Sequence, residues 1–306
     1  MSAVTEPKTV PVKQGAPAGH VKPKRSVAGR IVDVLGRGVV NIVLAVIALF
    51  WLVPSIGLFI SSLRDSKDIG QSGWWTVFTA PAQLTLENYA GLLGNPQFVG
   101  SFWNTIAITV PTTILVVIIG SLAGYAFAWL KFPGRDWLLI VVIVLLAVPL
   151  QVSLIPIAKL FGTLGIFGSV FGVVLFHTAY GLPFAIFLLR NFFIQIPAEL
   201  LEAARLDGAS EFRIFTRIML PLGGPAIASL AIFQFLWTWN DMLVALIFTN
   251  AGSQPVTVAI QSQLRQFGAN VDVLSAGAFL SMIIPLIVFF AFQRYFVTAL
   301  LQGSTK

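Results

Sequence analysis

The sequence predicts an all-α integral membrane protein: six transmembrane helices with a cytoplasmic helix–Gly–helix loop. Three observations carry that prediction. Of the 306 residues, 57% are hydrophobic and 10% are charged, against about 25% charged in an average soluble domain. Mean hydropathy is +0.89, more apolar surface than a soluble core could hide. The charges also punctuate the chain, leaving runs long enough to cross roughly 30 Å of hydrocarbon at about 1.5 Å per residue.

Residues 1–35 read as a disordered, basic cytoplasmic tail, rich in Pro, Lys, Gly and Ala. Its cluster Lys22, Lys24, Arg25 and Arg30 reads as a lipid-headgroup patch or as a topology signal. The first apolar run begins near Asn41, behind a polar stretch too long for a signal peptide, so span one is expected to stay as an uncleaved anchor. The membrane domain then fills 36–306.

Charge-free stretches run over 38–63, 88–130, 137–158, 160–189, 218–240 and 273–293. In the second, Asn95–Pro96 and nearby glycines mark a break, which places the span at 104–130 behind an amphipathic approach. Gly120 and Gly124 offer a small-xxx-small packing face. Pro149, Pro156 and Pro183 are expected to kink spans three and four.

With the N-terminus inside, 15 of the 19 Lys and Arg residues face the cytoplasm, and Arg64, Lys67, Lys159 and Arg265 do not. The net charge of +7 is therefore a positive-inside signature with both termini cytoplasmic, and a nucleic-acid partner is not needed to explain it. The outer loop from Arg64 to Ser101 carries Trp74, Trp75 and Tyr89, residues suited to a membrane interface.

Several chemistries are excluded. There is no cysteine, hence no disulfide, thiolate zinc site or thiol nucleophile. No G-x-x-x-x-G-K-(S/T) sequence is present, so the chain is not expected to hydrolyse ATP. The middles of the spans lack Asp, Glu, Lys and Arg, which favours a neutral solute over ion coupling. His177, deep in a span, reads as a packing histidine bonded to a neighbouring span, or as a proton relay if it has a second partner. Gln234, Trp237, Trp239 and Asn240 combine aromatic faces with amides, as a sugar pathway requires, or belong to an aromatic belt. Gln151 and Ser153 are weaker candidates for the same pathway.

The segment 197–221 is more structured than a connection between spans requires. Pro197 suits a helix start and Ala198–Asp207 are helix formers. Gly208 falls where a helix ends in a left-handed residue, and Ser210 can cap a second short helix running to Pro221. From pattern alone, this is a docking element or an amphipathic helix on the headgroups.

Glu202-Ala203-Ala204, three residues, Gly208, nine residues, Ile218, one residue and Leu220-Pro221 resemble the EAA loop of binding-protein-dependent ABC import permeases. The resemblance implies that the loop couples to an ATPase subunit: Glu202 makes a polar contact, Ala203 and Ala204 allow close approach, and Gly208 makes the turn. Phe235-Leu236-Trp237-Thr238-Trp239-Asn240-Asp241 and Gln293-Arg294-Tyr295-Phe296-Val297 are similar to the carbohydrate branch, the maltose-type second permease. Ser61-Ser62-Leu63-Arg64-Asp65 with Ser72-Gly73-Trp74-Trp75 resembles the α-glucoside group. What this implies is a non-enzymatic importer subunit in a bacterial or archaeal inner membrane. Its partners would be a second permease, an ATPase dimer holding ATP and Mg, and an extracytoplasmic sugar-binding protein. A permease for polyamine or phosphate would want a charged pathway, a membrane enzyme would want clustered His, Asp or Glu, and a non-ABC channel would want a self-complementary oligomer.

Overall fold

The computed structural model describes residues 27–267 and 271–304, with side chains over 38–262 and 271–293; residues 1–26 of the expected tail lie outside this range. The chain divides into two units, 1–54 and 55–306. Helix α1, Val27–Ser62, supplies all that is described of the first unit, and it starts inside the stretch expected to be tail. In the second unit α2 (Ser66–Gln71) and α3 (Glu87–Leu93) precede α4 (Pro96–Trp129). Next come α5 (Arg135–Leu146), α6 (Leu150–Thr163), α7 (Val170–Phe193), α8 (Ala198–Leu206) and α9 (Glu211–Ile214). The unit ends with α10 (Leu220–Trp239), α11 (Leu243–Phe248), α12 (Val256–Phe267) and α13 (Val271–Ser304).

Among the described residues, five stretches are individually long and apolar enough to span a membrane, and six spans result when α5 and α6 count as one bent span. That pair meets at 104°. Pro149 is the cause: it lacks an N–H, and its extended ψ of 131° stops α5 from running into α6. Pro156 and Pro183 sit inside α6 and α7. Span two differs from its expected bounds. Asn95 Oδ1 accepts from the N–H groups of Gln97 and Phe98, and Pro96 takes the first helical position, so Asn-Pro starts α4 rather than interrupting it.

The centre is α4 against α7, with α10 packed on both. The small face works as expected: a Cβ on Gly120 would lie 2.7 Å from the Ala185 Cβ, and one on Gly124 3.0 Å from the Leu189 Cβ. Val116, Ala185, Leu189, Phe193 and Leu230 form the core that continues down to the segment after α7.

Residues 63–95 fold around one arginine. Arg64 is 1% exposed. Its Nε donates to Gln83 Oε1 (3.0 Å), Nη1 to the Ser72 carbonyl (3.2 Å), and Nη2 to the Asp68 carbonyl (2.9 Å) and Ser72 Oγ (2.6 Å). Asn88 Nδ2 ties the Arg64 and Ser62 carbonyls to α3. The two sequence fragments at Arg64 and Ser72 are thus one hydrogen-bonded unit.

Candidate functional site

Helix α8 ends in a Schellman motif. The Ala209 N–H reaches the Ala204 carbonyl (2.9 Å), the Gly208 N–H reaches the Arg205 carbonyl (3.0 Å), and Gly208 has φ 77°. A Cβ on Gly208 would meet nothing within 4 Å, so glycine is demanded by backbone conformation rather than by space. Ala204 and Ala209, on either side of the turn, are both partly buried against the core. Ser210 Oγ then accepts from the Arg213 N–H (3.4 Å) and starts α9.

Between α9 and α10 lies one π turn, Phe215–Met219, in which the Leu220 N–H bonds the Phe215 carbonyl five residues back. The second short helix therefore runs through Leu220 and Pro221 into span five without a boundary, and the widened turn takes up strain just ahead of the proline. Ile218 and Leu220 pack against the core, and Pro221 is exposed.

The two faces of α8 differ. Leu201 is fully buried with Ile214, Phe215 and Met219 under the loop. Glu202 and Ala203 are exposed, and Glu202 has no hydrogen bond or ion pair among the described residues. Leu206 and Phe212 stand out at 89% and 70% exposure. An unpaired carboxylate beside protruding apolar side chains suits a protein partner better than water.

One network here links the two short helices. Arg205 reaches across the glycine turn: Nε donates to Glu211 Oε1 (2.8 Å) and Nη2 to Oε2 (3.4 Å). The Tyr125 hydroxyl, from α4, donates to the same Glu211 Oε2. The bond to Glu211 raises the already high pKa of the Arg205 guanidinium, so its charge is constant. A spacing of six across a left-handed residue matches no helical period, so the sequence held no signal for it.

At span depth the four candidate pathway residues separate. Trp237 is 45% exposed and lines a groove of about 570 Å³ beside the bend, with Tyr180, Ser153, Phe184 and Leu145. Tyr180 OH and Ser153 Oγ are hydrogen-bonded to each other, and the Tyr180 ring stacks on Phe176 at 5.0 Å. Gln234 is buried and turns inward: Nε2 donates to Thr238 Oγ1 (3.0 Å), and its amide lies over Gly181. Trp239 is buried on Phe235 and Phe102, and its Nε1 donates to the Ser281 carbonyl (3.0 Å). Asn240 is exposed and closes α10, its Nδ2 bonding the Leu236 carbonyl (2.8 Å).

His177 does have a partner. Its Nε2 lies 3.5 Å from Asp241 Oδ2, and the Asp241 carboxylate also accepts from the N–H groups of Val244 and Ala245, capping α11. With those bonds in place the pair ties α7 to the end of span five, a packing arrangement. Among the described residues no cluster of three His, Cys, Asp or Glu could hold a metal ion.

Comparison with known proteins agrees with this geometry. The family described as "Binding-protein-dependent transport system inner membrane component" matches residues 116–302. The osmoprotective compounds uptake permease protein of Synechocystis sp. is 49% identical over 272 residues, 87% of this chain and 91% of that one. The alpha-glucoside transport system permease protein of Rhizobium meliloti is 47% identical over 263 residues, 83% of this chain and 69% of that one. One chain from the crystal structure of a bacterial ABC transporter involved in the import of the acidic polysaccharide alginate superposes with a TM-score of 0.75. It is 25% identical and covers 90% of this chain and 100% of that one. Its bundle, its glycine-turned loop and these relatives together show that the chain belongs to the binding-protein-dependent transport system inner membrane components, the integral membrane permeases of ABC importers.

Proposed function

We propose that this permease imports a neutral sugar, an α-glucoside or oligosaccharide, and that residues 197–221 couple the transport step to ATP hydrolysis by a partner. The observation that carries the coupling role is the exposed face of α8 and α9: Glu202 unpaired, Leu206 and Phe212 protruding, all fixed on the core through Leu201. Glu202, Ala203, Ala204, Gly208, Ile218, Leu220 and Pro221 serve that surface, directly or by shaping it.

The chain has no enzymatic activity of its own in this reading. ATP and Mg bind an ATPase dimer, a second permease completes the pathway, and an extracytoplasmic sugar-binding protein delivers the solute. In this reading the termini are cytoplasmic in a bacterial or archaeal inner membrane, an orientation that the charge asymmetry supports. Support for a sugar comes from the α-glucoside relative and from the Trp237 groove, where an aromatic face and hydroxyls meet and no charged side chain lines the wall. A polyamine or phosphate finds no counter-charge in that groove.

The test is uptake of radiolabelled trehalose and maltose by cells expressing the importer, with spermidine and phosphate as competitors, and co-purification of the ATPase. Glu202→Ala is expected to lower uptake at least tenfold and to weaken ATPase retention. Uptake at the wild-type level with the ATPase still bound would overturn the coupling role. Competition by spermidine or phosphate alone would overturn the sugar.

A further inference from the structure

We infer that Tyr125, Glu211 and Arg205 form a latch that fixes the coupling helix to the membrane core and carries ATPase motion into α4 as well as α10; this rests on reading 197–221 as the coupling loop. A coupling element must transmit push and pull, yet α8 is poorly held without the latch. Leu201 is its one buried side chain. Beyond its C-cap the chain turns on Gly208, whose surroundings are open. Such a helix can pivot about its anchor and lose motion before it reaches the spans.

The latch closes that freedom. Arg205 and Glu211 lie on opposite sides of the glycine, so their pair spans the pivot. A half-exposed pair of this kind is weak by itself. Tyr125 changes the case: it is 4% exposed, and its hydroxyl donates to Glu211 Oε2. A buried hydroxyl without a partner is unfavourable, so this bond is held. The Tyr125 ring also lies 5.4 Å from Phe215 in the π turn. One residue of α4 thus touches both the carboxylate and the turn that joins α9 to α10. Glu211 is in turn favoured at the start of a continuous helix, where the dipole is positive. Span two and the two short helices of the loop then move as one body.

Tyr125→Phe keeps the ring packing and deletes only the bond, and Glu211→Gln keeps an acceptor but removes the charge that holds Arg205. In the assembled importer, reconstituted in proteoliposomes, both are expected to raise the ATP hydrolysed per sugar transported about tenfold while the amount of complex stays near wild type. Arg205→Ala, a surface change that folds readily, should raise it about threefold. The Tyr125→Phe/Glu211→Gln double variant should be no worse than the worse single one. A merely structural role would lower the amount of complex and leave the ratio unchanged, and that result, or wild-type ratios throughout, overturns the latch. Glu202→Ala and Gly208→Val run alongside. If these two lose uptake while the latch variants keep the wild-type ratio, only the latch is wrong. If these two transport normally, the loop does not couple and a latch for it has no role.

Discussion

Arg64 and Arg205 stand in segments that join spans at opposite ends of the bundle, and they are used in opposite ways. Arg64 is buried and spends its donors on neutral oxygens of its own segment, with no ion pair among the described residues. Arg205 is half exposed and pairs with a carboxylate across a pivot. A buried guanidinium whose donors are nearly all satisfied makes 63–95 a closed piece of architecture. The loop after α7 keeps its polar pair at the surface, leaves Glu202 unpaired and turns Leu206 outward, as a segment must if another protein is to grip it. Similar short helices therefore give a self-contained cap in one place and a contact element in the other.

The largest effect that separates the two is on stability. Arg64→Ala removes the donors from at least three half-buried oxygens at once, and the loss is expected to be about 2–4 kcal/mol, since water and neighbouring N–H and O–H groups can re-satisfy some of them. Arg205→Ala should cost at most about 1 kcal/mol. Thermal inactivation of the purified importer, with limited proteolysis within 63–95, measures both. Equal shifts for the two variants would mean that the cap is not held by Arg64.

Gly208 tests whether the contact element depends on shape. With φ 77° and open space around it, any penalty must come from the backbone, about 1–2 kcal/mol for a residue with a β-carbon and less for Asn. Uptake should therefore fall in the order Gly208→Asn, Gly208→Ala, Gly208→Val, with the last abolishing it. Three equally dead variants would point instead to a partner packed against the glycine. The buried Leu201 bears on the rival reading of a headgroup helix: a charge at Leu201 damages the core under either view, so Glu202→Ala, harmless to a headgroup helix and damaging to a coupling helix, is the informative change.

How much of this was legible follows the same division. Span count, the glycine turn and the Ser210 cap rest on local signals, namely apolar run length, a left-handed residue and a capping side chain, and all three are in the structure. Asn95–Pro96 was read as a break because the dipeptide that starts a helix also marks a turn. The bend at Pro149 was expected as a kink, but its size depends on both flanking helices. Arg64 could not be recognised as buried, because its acceptors are mostly carbonyls and lie up to nineteen residues away. In span five every face is apolar, so periodicity could not tell which of Gln234, Trp237, Trp239 and Asn240 point inward.

That last ambiguity gives the smallest and most specific test. Trp237 and Trp239 are two residues apart on one helix and so point to different sides. Trp237 shows an aromatic face to the groove beside the hydroxyls of Tyr180 and Ser153, while Trp239 is held in packing by the Ser281 carbonyl. If the groove is the sugar path, Trp237→Ala removes a stacking surface worth about 0.5–1.5 kcal/mol. The apparent KM for sugar should rise about two- to tenfold, or the preference between trehalose and maltose should shift, with normal amounts of complex. Trp239→Phe loses one hydrogen bond, about 1 kcal/mol of stability, and should leave KM alone. Tyr180→Phe, which removes a hydroxyl from the same wall, should shift KM in the same direction as Trp237→Ala. Unchanged kinetics in both Trp237→Ala and Tyr180→Phe would remove the groove from the pathway and leave Trp237 as a belt residue, while a KM effect from Trp239→Phe would show that packing behind the groove sets its shape.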